Sequence, residues 1–219
     1  LFIDLIPKIL HQFDEPFADS SQIPTYIVMH EASKHVKVVL SGDGADEIFG
    51  GYNRYLYVES LYKIQERVPK VLFNSGLKFL NLLPKNFLNR LNFKNLSQLG
   101  SKFEKISSKK EYLHNPDELY VSMLREDPRI IFNSSESEKH PIIDHKDSWP
   151  KANEFTQQMM LLDIMTYLPD DILTKVDRTS MMCSIESRAP FLDKDLMEFA
   201  ISIPANIKIQ SGTSKFLLK

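Results

Sequence analysis

A short apolar run that stops at a glycine-rich loop constrains this chain more than any other feature. Residues 36–40, VKVVL, are apolar except for one lysine, and most are β-branched. This pattern predicts an interior strand, buried on both faces of a parallel sheet. Residues 41–44, SGDG, end the strand in a tight loop whose glycines let the backbone approach a ligand closely. Because nucleotides bind beyond the carboxyl ends of strands in open α/β sheets, this loop is a candidate phosphate or adenylate site.

Three acidic residues follow the strand, and two interpretations of them stay open. In the first, Asp43 caps a short helix, and Asp46 and Glu47 lie in its first turn, where the helix dipole favours carboxylates. In the second, the carboxylates hold Mg²⁺, which takes hard oxygen ligands and is usually shared with substrate phosphates. Different members of the set can follow different interpretations.

Composition restricts the class of protein. A chain of 219 residues with 42% hydrophobic and 26% charged residues is typical of a globular domain with one sizeable core. No apolar run is long enough for a membrane helix, so we expect no membrane partner. Cys183 is the only cysteine, which excludes an intramolecular disulfide and fits a reducing cytoplasm. The basic residues of the stretch 61–110 are spread at helical spacings, so we predict solvated helix faces and no nucleic-acid partner.

Apolar periodicity and capping signals predict a mostly helical chain around this single strand. Helices are predicted over about 1–10, 23–34, 55–66, 70–82, 115–124, 154–168, 172–184 and 194–202. Pro169 is expected to stop one helix, and Asp170 or Asp171 to cap the next. Asp193 is expected to cap the last helix.

Two histidines lie in a segment without helical periodicity. Residues 133–150 contain two prolines and several serines and charged residues, a composition that predicts a surface loop. His140 and His145 match no zinc-binding spacing, so we expect them to face solvent.

A group of charged residues follows Pro169 at helical spacing. Asp171, Lys175 and Arg178 are separated by four and three positions, which places them on one helix face. On spacing alone, this arrangement is typical of a surface salt-bridge ladder.

Two long strings resemble the motifs of a known family. LSGDGADEIFGGY, residues 40–52, and DDILTKVDRTSMMCSIESRAPFLD, residues 170–193, resemble the motifs of the synthetase domain of glutamine-hydrolysing asparagine synthetases. DEPFADSSQIPTY, residues 14–26, and GTSKFLLK, residues 212–219, resemble neighbouring segments of that family. Residues from about 60 to 150 carry no recognised motif.

The resemblance implies a fold and a domain organisation. The family domain is α/β, of the Rossmann-like adenine nucleotide alpha-hydrolase type, and residues 1–219 would be its C-terminal part, mostly helical with one buried parallel strand at about 36–40. Residues 1–58 would form the nucleotide-site core, 59–150 a variable helical region and 151–219 a helical core that completes the active site. The full-length protein would be a homodimer.

The resemblance also implies a reaction. ATP activates the side-chain carboxylate of aspartate as β-aspartyl-AMP with release of pyrophosphate, and ammonia derived from glutamine then displaces AMP. Adenylation requires Mg²⁺ and cationic side chains to stabilise the charge on the phosphates. Attack by ammonia requires a base that removes a proton from the incoming nitrogen.

The family likeness assigns roles to individual residues. Ser41 and Gly42 would contact AMP, and Asp46 would bind Mg²⁺. Asp43, where many family members carry Glu, would act with Asp171 near the acyl-adenylate during ammonia attack. The residues assigned to the pyrophosphate zone are Lys215, Lys175 and Arg178, and those assigned to brace the site are Glu186 and Arg188.

Two family motifs are not found in this sequence. These are the pyrophosphate loop Ser-Gly-Gly-x-Asp-Ser and the N-terminal cysteine that hydrolyses glutamine, since residue 1 is leucine. We therefore expect the isolated chain to be inactive and to expose apolar surface. Two other functions stay open, namely amidation of a sugar uronate by the same adenylate chemistry and a non-catalytic role as a fragment with an inherited signature.

Overall fold

The computed structural model describes residues 2–13, 17–69, 75, 112, 115–124 and 140–219. The chain divides into two units, of which unit 1 comprises Leu1–Tyr52 and Lys139–Lys219 and unit 2 comprises Asn53–Glu138. The helix predicted over 70–82 lies outside the described residues except at residue 75.

Helices dominate the chain, as the periodicity predicts. In chain order the elements are α1 (Phe2–Gln12), α2 (Gln22–Ser33), β1 (Val38–Leu40), α3 (Ala45–Phe49), α4 (Asn53–Arg67), α5 (Pro116–Leu124), α6 (Phe155–Met165), α7 (Thr174–Met182), β2 (Glu186–Arg188), α8 (Lys194–Ser202) and α9 (Ala205–Lys208). A π-helix over Leu168–Leu173 joins α6 to α7, and 3-10 turns lie at Lys146–Ser148, Pro190–Leu192 and Phe216–Leu218. No helix in the described part of the chain is both long and apolar enough to cross a membrane.

In unit 2, α4 packs against α5, and the start of α5 follows its sequence signals. The side chain of Asn115 accepts a hydrogen bond from the backbone N–H of Asp117 at 3.0 Å and donates one to Glu118 at 3.1 Å. Pro116 occupies the first helical position, where a missing N–H costs nothing. The helix start predicted at residues 115–118 is therefore confirmed.

The two strands of unit 1 pair in parallel. Val38 lies opposite Glu186 and Leu40 opposite Arg188, and the ladder continues where the N–H of Ser41 donates to the carbonyl of Arg188 at 2.8 Å. The parallel pairing of the predicted strand is thus confirmed. The prediction that this strand is buried on both faces is wrong, because Val38 is 43% exposed and Leu40 is 74% exposed. Side chains alternate along a strand, and only Val39 faces the core.

Two apolar clusters hold the strands and the glycine-rich loop. Met29, Val176 and Ile185 form the first cluster, between α2, α7 and the start of β2, and Val39 packs against it. Ile48 and Phe49 of α3 form the second cluster with Ala200 of α8. The loop 41–44 therefore runs from one cluster to the other, and both of its ends are fixed by packing.

The passage from α6 to α7 differs from the prediction. Pro169 does not stop α6, which already ends at Met165, and neither Asp170 nor Asp171 caps a new helix, because both acids lie inside the π-helix. The backbone leaves the α-helical region at Thr166, with φ −131° and ψ −76°, and Pro169 lies in the first turn of the π-helix, where its missing N–H costs little. The cap predicted at Asp193 is confirmed, since its carboxylate accepts from the N–H of Leu196 at 3.1 Å.

The described part of the predicted surface loop, residues 140–150, has a regular structure. The indole N–H of Trp149 donates to the carbonyl of Ile142 at 3.0 Å, and the Trp149 side chain is buried. The solvent exposure expected of His145 is confirmed, whereas that expected of His140 is wrong because its ring is hydrogen-bonded to Asp170 at 3.0 Å.

A buried ion pair ties the segment before α2 to α7. Lys175 is 7% exposed, and its ammonium group donates to Asp19 at 2.5 Å and to the hydroxyl of Ser21 at 2.7 Å. Burial alone would raise the pKa of Asp19, but the hydrogen bonds from Lys175 and Ser21 outweigh it and hold the pKa below its usual value. The prediction of a surface salt-bridge ladder is therefore wrong for Lys175.

Removing one partner of this ion pair will destabilise the protein. Replacing Asp19 with alanine leaves a buried ammonium group without its counter-ion, and we expect the free energy of unfolding to fall by about 3 kcal/mol. The double variant Asp19→Ala with Lys175→Met should recover most of that loss. Chemical denaturation of the three proteins measures both effects, and equal stability of the single and double variants would contradict the ion-pair assignment.

Candidate active site

An unsatisfied hydroxyl and an open backbone face meet at the carboxyl end of β1. The hydroxyl oxygen of Ser41 is buried without a hydrogen-bond partner among the described residues, and so is that of Ser187 on β2. Ser187 lies opposite Val39, so strand alternation places it on the same sheet face as Ser41. A Cβ atom added at Gly42 would meet no atom within 4 Å. These features fit a ligand that contacts Ser41 and Gly42, and the sequence analysis missed Ser187.

The start of α3 is set by a glycine and not by Asp43. Gly44 is the N-cap residue with φ +87°, and a Cβ atom there would overlap the side chain of Leu192. Both observations require glycine at this position. The capping interpretation of Asp43 is therefore wrong. Its carboxylate is half-buried and makes no hydrogen bond or ion pair within the described ranges, which leaves it available to a ligand.

Asp46 and Lys215 form an ion pair, so that the first motif contacts the last segment of the chain. Lys215 Nζ lies 2.8 Å from Asp46 Oδ1, and the two side chains are 31% and 36% exposed. Lys215 has φ +51°, a left-handed conformation that is uncommon for a residue other than glycine. A carboxylate and an ammonium group are thus held together at the edge of α3, reachable from solvent.

Gly51 leaves room for this ion pair. A Cβ atom at Gly51 would overlap both the carboxylate of Asp46 and Cε of Lys215. The N–H of Gly51 also donates to the backbone carbonyl of Asp46 at 2.7 Å, so backbone and side chains are packed together here. Gly51, the last glycine of the motif, therefore has a steric role that the sequence alone did not reveal.

Glu47, the neighbour of Asp46, points into the core. It is 1% exposed, and the hydroxyl of Tyr52 donates to its carboxylate at 2.6 Å. Burial raises the pKa of Glu47 above its usual value, the Tyr52 hydrogen bond opposes this, and the charges of Asp46 and Asp163 reinforce it. Burial and the bond to Glu47 also raise the pKa of Tyr52, so its proton stays on the phenol oxygen. Glu47 is therefore a buried support for α3 and not an open metal ligand.

Tyr52 also connects the two long motifs. Its ring packs edge-on against the ring of Tyr167 with centroids 5.6 Å apart, and Tyr167 directly precedes the π-helix that carries Asp171. Asp163, one turn earlier on α6, is fully buried. The sequence analysis missed Tyr52, Tyr167 and Asp163, although an acid within the apolar run of α6 was a usable signal.

The remaining predicted site residues are divided between two locations. Asp171 lies half-buried in the π-helix, and Arg178 lies half-buried on α7. Glu186 and Arg188 are exposed on β2, where Arg188 Nε donates to Glu186 Oε1 at 2.7 Å. Lys175, assigned by resemblance to the pyrophosphate zone, forms the buried ion pair with Asp19.

The residues around Asp46 fit a shared Mg²⁺ site better than a complete protein-made one. Within the described ranges, no three His, Cys, Asp or Glu side chains converge as metal ligands do. Asp46 already holds a cationic group, the ammonium of Lys215, at the distance of a hydrogen-bonded ion pair. Mg²⁺ is commonly bound by one or two carboxylates together with substrate phosphates, and a single half-exposed carboxylate suits that mode.

Comparison with known sequences identifies the family. The profile of the asparagine synthase family matches residues 1–219. The chain belongs to the asparagine synthase family. No solved structure matches it.

Curated relatives carry the same family name. Asparagine synthetase [glutamine-hydrolyzing] 1 of Bacillus subtilis is 36% identical over 231 residues, which cover 100% of this chain and 33% of the relative. A putative asparagine synthetase [glutamine-hydrolyzing] of Mycobacterium tuberculosis is 34% identical over 223 residues, covering 100% of this chain and 32% of the relative. A similarly named protein of Methanocaldococcus jannaschii is 36% identical over 83% of this chain. The chain spans about a third of the length of these relatives.

In this member of the asparagine synthase family, the buried Glu47 predicts a pH-dependent stability. A carboxyl with a raised pKa in the folded state is neutral in both states at low pH, and the cost of burying its charge appears as the pH rises through the raised pKa. Glu47→Gln retains an acceptor for Tyr52 without the charge. Its unfolding free energy should therefore increase relative to the wild type as the pH rises from acid to neutral.

Tyr52→Phe is the matched variant, because it removes the hydroxyl that donates to the buried carboxylate of Glu47. We expect it to lower the unfolding free energy at neutral pH by about 1 to 3 kcal/mol. Denaturant titrations at several pH values measure both variants. A stability difference between Glu47→Gln and wild type that stays constant with pH would contradict the burial of a titrating carboxyl.

Gly51→Ala should separate the ion pair without unfolding the protein. The added methyl group would overlap both Asp46 and Lys215, while the φ of Gly51 is not positive and so accepts alanine. Because exposed ion pairs contribute only about 0 to 1 kcal/mol, stability should change little. Crystal structures of Gly51→Ala and of the control Gly42→Ala test this. An intact pair in Gly51→Ala, or a broken one in Gly42→Ala, would contradict the steric assignment.

Proposed function

We propose that the protein carrying this chain makes asparagine from aspartate in two ATP-dependent steps, and that this chain supplies part of its synthetase site. The observation that carries the proposal is the Asp46–Lys215 ion pair, which lies beside the glycine-rich loop at the end of a parallel strand. Membership of the asparagine synthase family and the names of the curated relatives support the choice of product.

In the first step, an oxygen of the aspartate side-chain carboxylate attacks the α-phosphorus of ATP. The bond to the leaving pyrophosphate breaks, and β-aspartyl-AMP is formed. Ser41 would bind the nucleotide through the hydroxyl that has no partner among the described residues, and Gly42 through its open backbone face. Asp46 would hold Mg²⁺, which supplies charge neutralisation on the phosphates. Lys215 would turn from Asp46 to the departing pyrophosphate.

In the second step, ammonia derived from glutamine attacks the acyl carbon of β-aspartyl-AMP. The bond between that carbon and the AMP oxygen breaks, AMP leaves with its electron pair, and the nitrogen loses a proton. Asp43 is the candidate base, since its carboxylate makes no hydrogen bond or ion pair with described residues. Asp171 would assist from the π-helix, and Arg178 would favour the anionic phosphates. Glu186 and Arg188 would brace the neighbouring strand.

The test supplies the protein that carries this chain with ammonia, aspartate and MgATP. We expect asparagine, AMP and pyrophosphate in equal amounts without added glutamine. AMP that forms only when a uronic-acid sugar replaces aspartate would assign a different acceptor. No AMP with either acid would contradict the adenylate chemistry altogether.

Two variants separate the half-reactions in the same assay. Asp46→Asn should abolish aspartate-dependent exchange between ATP and pyrophosphate, because the metal acts in adenylation. Asp43→Asn should retain exchange but slow asparagine formation by about 10²-fold, the loss typical of a missing general base. Near-normal asparagine formation by Asp43→Asn would remove its catalytic assignment. Equal loss of both half-reactions would instead place Asp43 in the nucleotide site.

A further inference from the structure

His140 connects the described loop 140–149 to the π-helix. Its Nε2 atom lies 3.0 Å from Oδ2 of Asp170, which is thirty positions away in the sequence. Asp170 directly precedes Asp171, the acid proposed above to assist ammonia attack. Sequence spacing gave no reason to pair His140 with Asp170, and the two-step reaction proposed above assigns no role to this hydrogen bond.

The hydrogen bonds of His140 define its protonation. Its Nδ1 atom accepts from the backbone N–H groups of Ile142 and Ile143, both at 3.1 Å, and so carries no proton. The ring proton of this neutral tautomer is therefore on Nε2 and is donated to the carboxylate of Asp170. Both ring nitrogens are occupied, and the orientation of the imidazole is fixed.

The loop that holds His140 is itself anchored. The N–H of His140 donates to the carboxylate of Asp144 at 2.7 Å, which closes the turn over residues 140–144. The buried Trp149 donates its indole N–H to the carbonyl of Ile142 at 3.0 Å. His140 therefore contacts Asp170 from a backbone that is fixed at both ends of the turn.

The hydrogen bond from His140 can influence where the side chains of the π-helix lie. The π-helix contains Pro169, which cannot donate a backbone hydrogen bond, and the side chain of Thr174 donates to the carbonyl of Pro169 at 2.8 Å. π-Turns are rare, less regular than α-helices and frequent at functional sites. A hydrogen bond from outside the segment can thus decide where its side chains lie.

We propose that His140 is a positioning residue: through Asp170 it fixes the π-helix and so places Asp171 for the amide-forming step. The inference rests on the proposed function for the role of Asp171. His140 itself contacts neither substrate nor reacting atoms in this assignment. A geometric error of about 1 Å at a catalytic group can slow a step by up to about 10²-fold, so the placement has a measurable effect.

The test uses variants of the protein that carries this chain. His140→Asn retains an acceptor near the position of Nδ1 but is too short to reach Asp170, and Asp170→Ala removes the other partner. His145→Asn is the matched control, because His145 lies exposed in the same loop and its ring makes no hydrogen bond with described residues. The double variant His140→Asn with Asp170→Ala tests whether the two residues act through one contact.

We expect His140→Asn and Asp170→Ala each to lower the kcat of ammonia-dependent asparagine formation by about tenfold. Pyrophosphate exchange and the KM for ATP should change less than about twofold, since adenylation does not use Asp171 in this assignment. The double variant should lose no more than either single variant. Equal loss in both half-reactions, or additive losses, would overturn the proposal.

Hydrogen exchange of the amides of Leu168 and residues 170–173 provides a readout that does not depend on catalysis. Exchange should be faster in His140→Asn and Asp170→Ala and unchanged in His145→Asn. If the wild type makes no asparagine while exchange rises as expected, the proposed function fails and the anchoring of the π-helix stands. If the wild type is active and His140→Asn alters neither exchange nor kcat, the positioning role fails and the proposed function stands.

Discussion

The parallel pairing of two three-residue strands is the interaction on which the candidate site depends. The ladder from Val38 to Ser41 sets the glycine-rich loop beside Glu186–Arg188, although roughly 150 residues of chain separate the two strands. Backbone groups make these hydrogen bonds, so the pairing requires little of the side chains of β2. It requires instead that the apolar cluster of Met29, Val176 and Ile185 hold the sheet face in place. The two sequence motifs are brought together by that packing.

Adjacent acids on α3 serve opposite purposes. Successive residues of an α-helix differ in direction by about 100°, so Asp46 and Glu47 cannot share a face. Asp46 points outward to Lys215, whereas Glu47 points inward to Tyr52. Tyr52 then contacts Tyr167, which precedes the π-helix. A single short helix thus presents the carboxylate of Asp46 to solvent. Its other acid, Glu47, connects the helix through Tyr52 to the segment that precedes the second motif.

Much of this arrangement can be predicted from residues close in sequence, and the rest depends on contacts that are distant in sequence. Helical periodicity, the Asn115 and Asp193 caps and the glycine-rich loop are local signals, and they located the helices and the end of β1. β2 has no such signal, because Glu-Ser-Arg becomes a strand only through its partner. The burial of Lys175 likewise depends on Asp19, more than 150 positions away.

Two predictions from local sequence patterns were wrong, one at Pro169 and one for the burial of β1. Proline was expected to end α6, but α6 ends at Met165, and Pro169 lies in the first turn of the π-helix that follows. β-Branched runs normally mark buried strands, yet Val38 and Leu40 are exposed on the face of β1 away from its cluster. The assignments of Asp43, Asp46, Asp171 and Lys215 to chemical roles stay predictions, because roles depend on ligands and not on backbone geometry.

Unit 1 is built from two separate stretches of chain, and this division has a consequence for how such a protein can change over generations. The first stretch of unit 1 ends at Tyr52 and the second begins at Lys139, so residues 53–138 connect two stretches of the same unit. The entropy lost in closing a flexible loop grows only with the logarithm of its length, and doubling the length costs about 0.6 kcal/mol. A change in the length of that stretch, outside the packed helices α4 and α5, therefore costs the pairing of β1 with β2 little. New segments that leave α4 and α5 packed can therefore be added between the two parts of unit 1 while the pairing of Val38 with Glu186 stays in register.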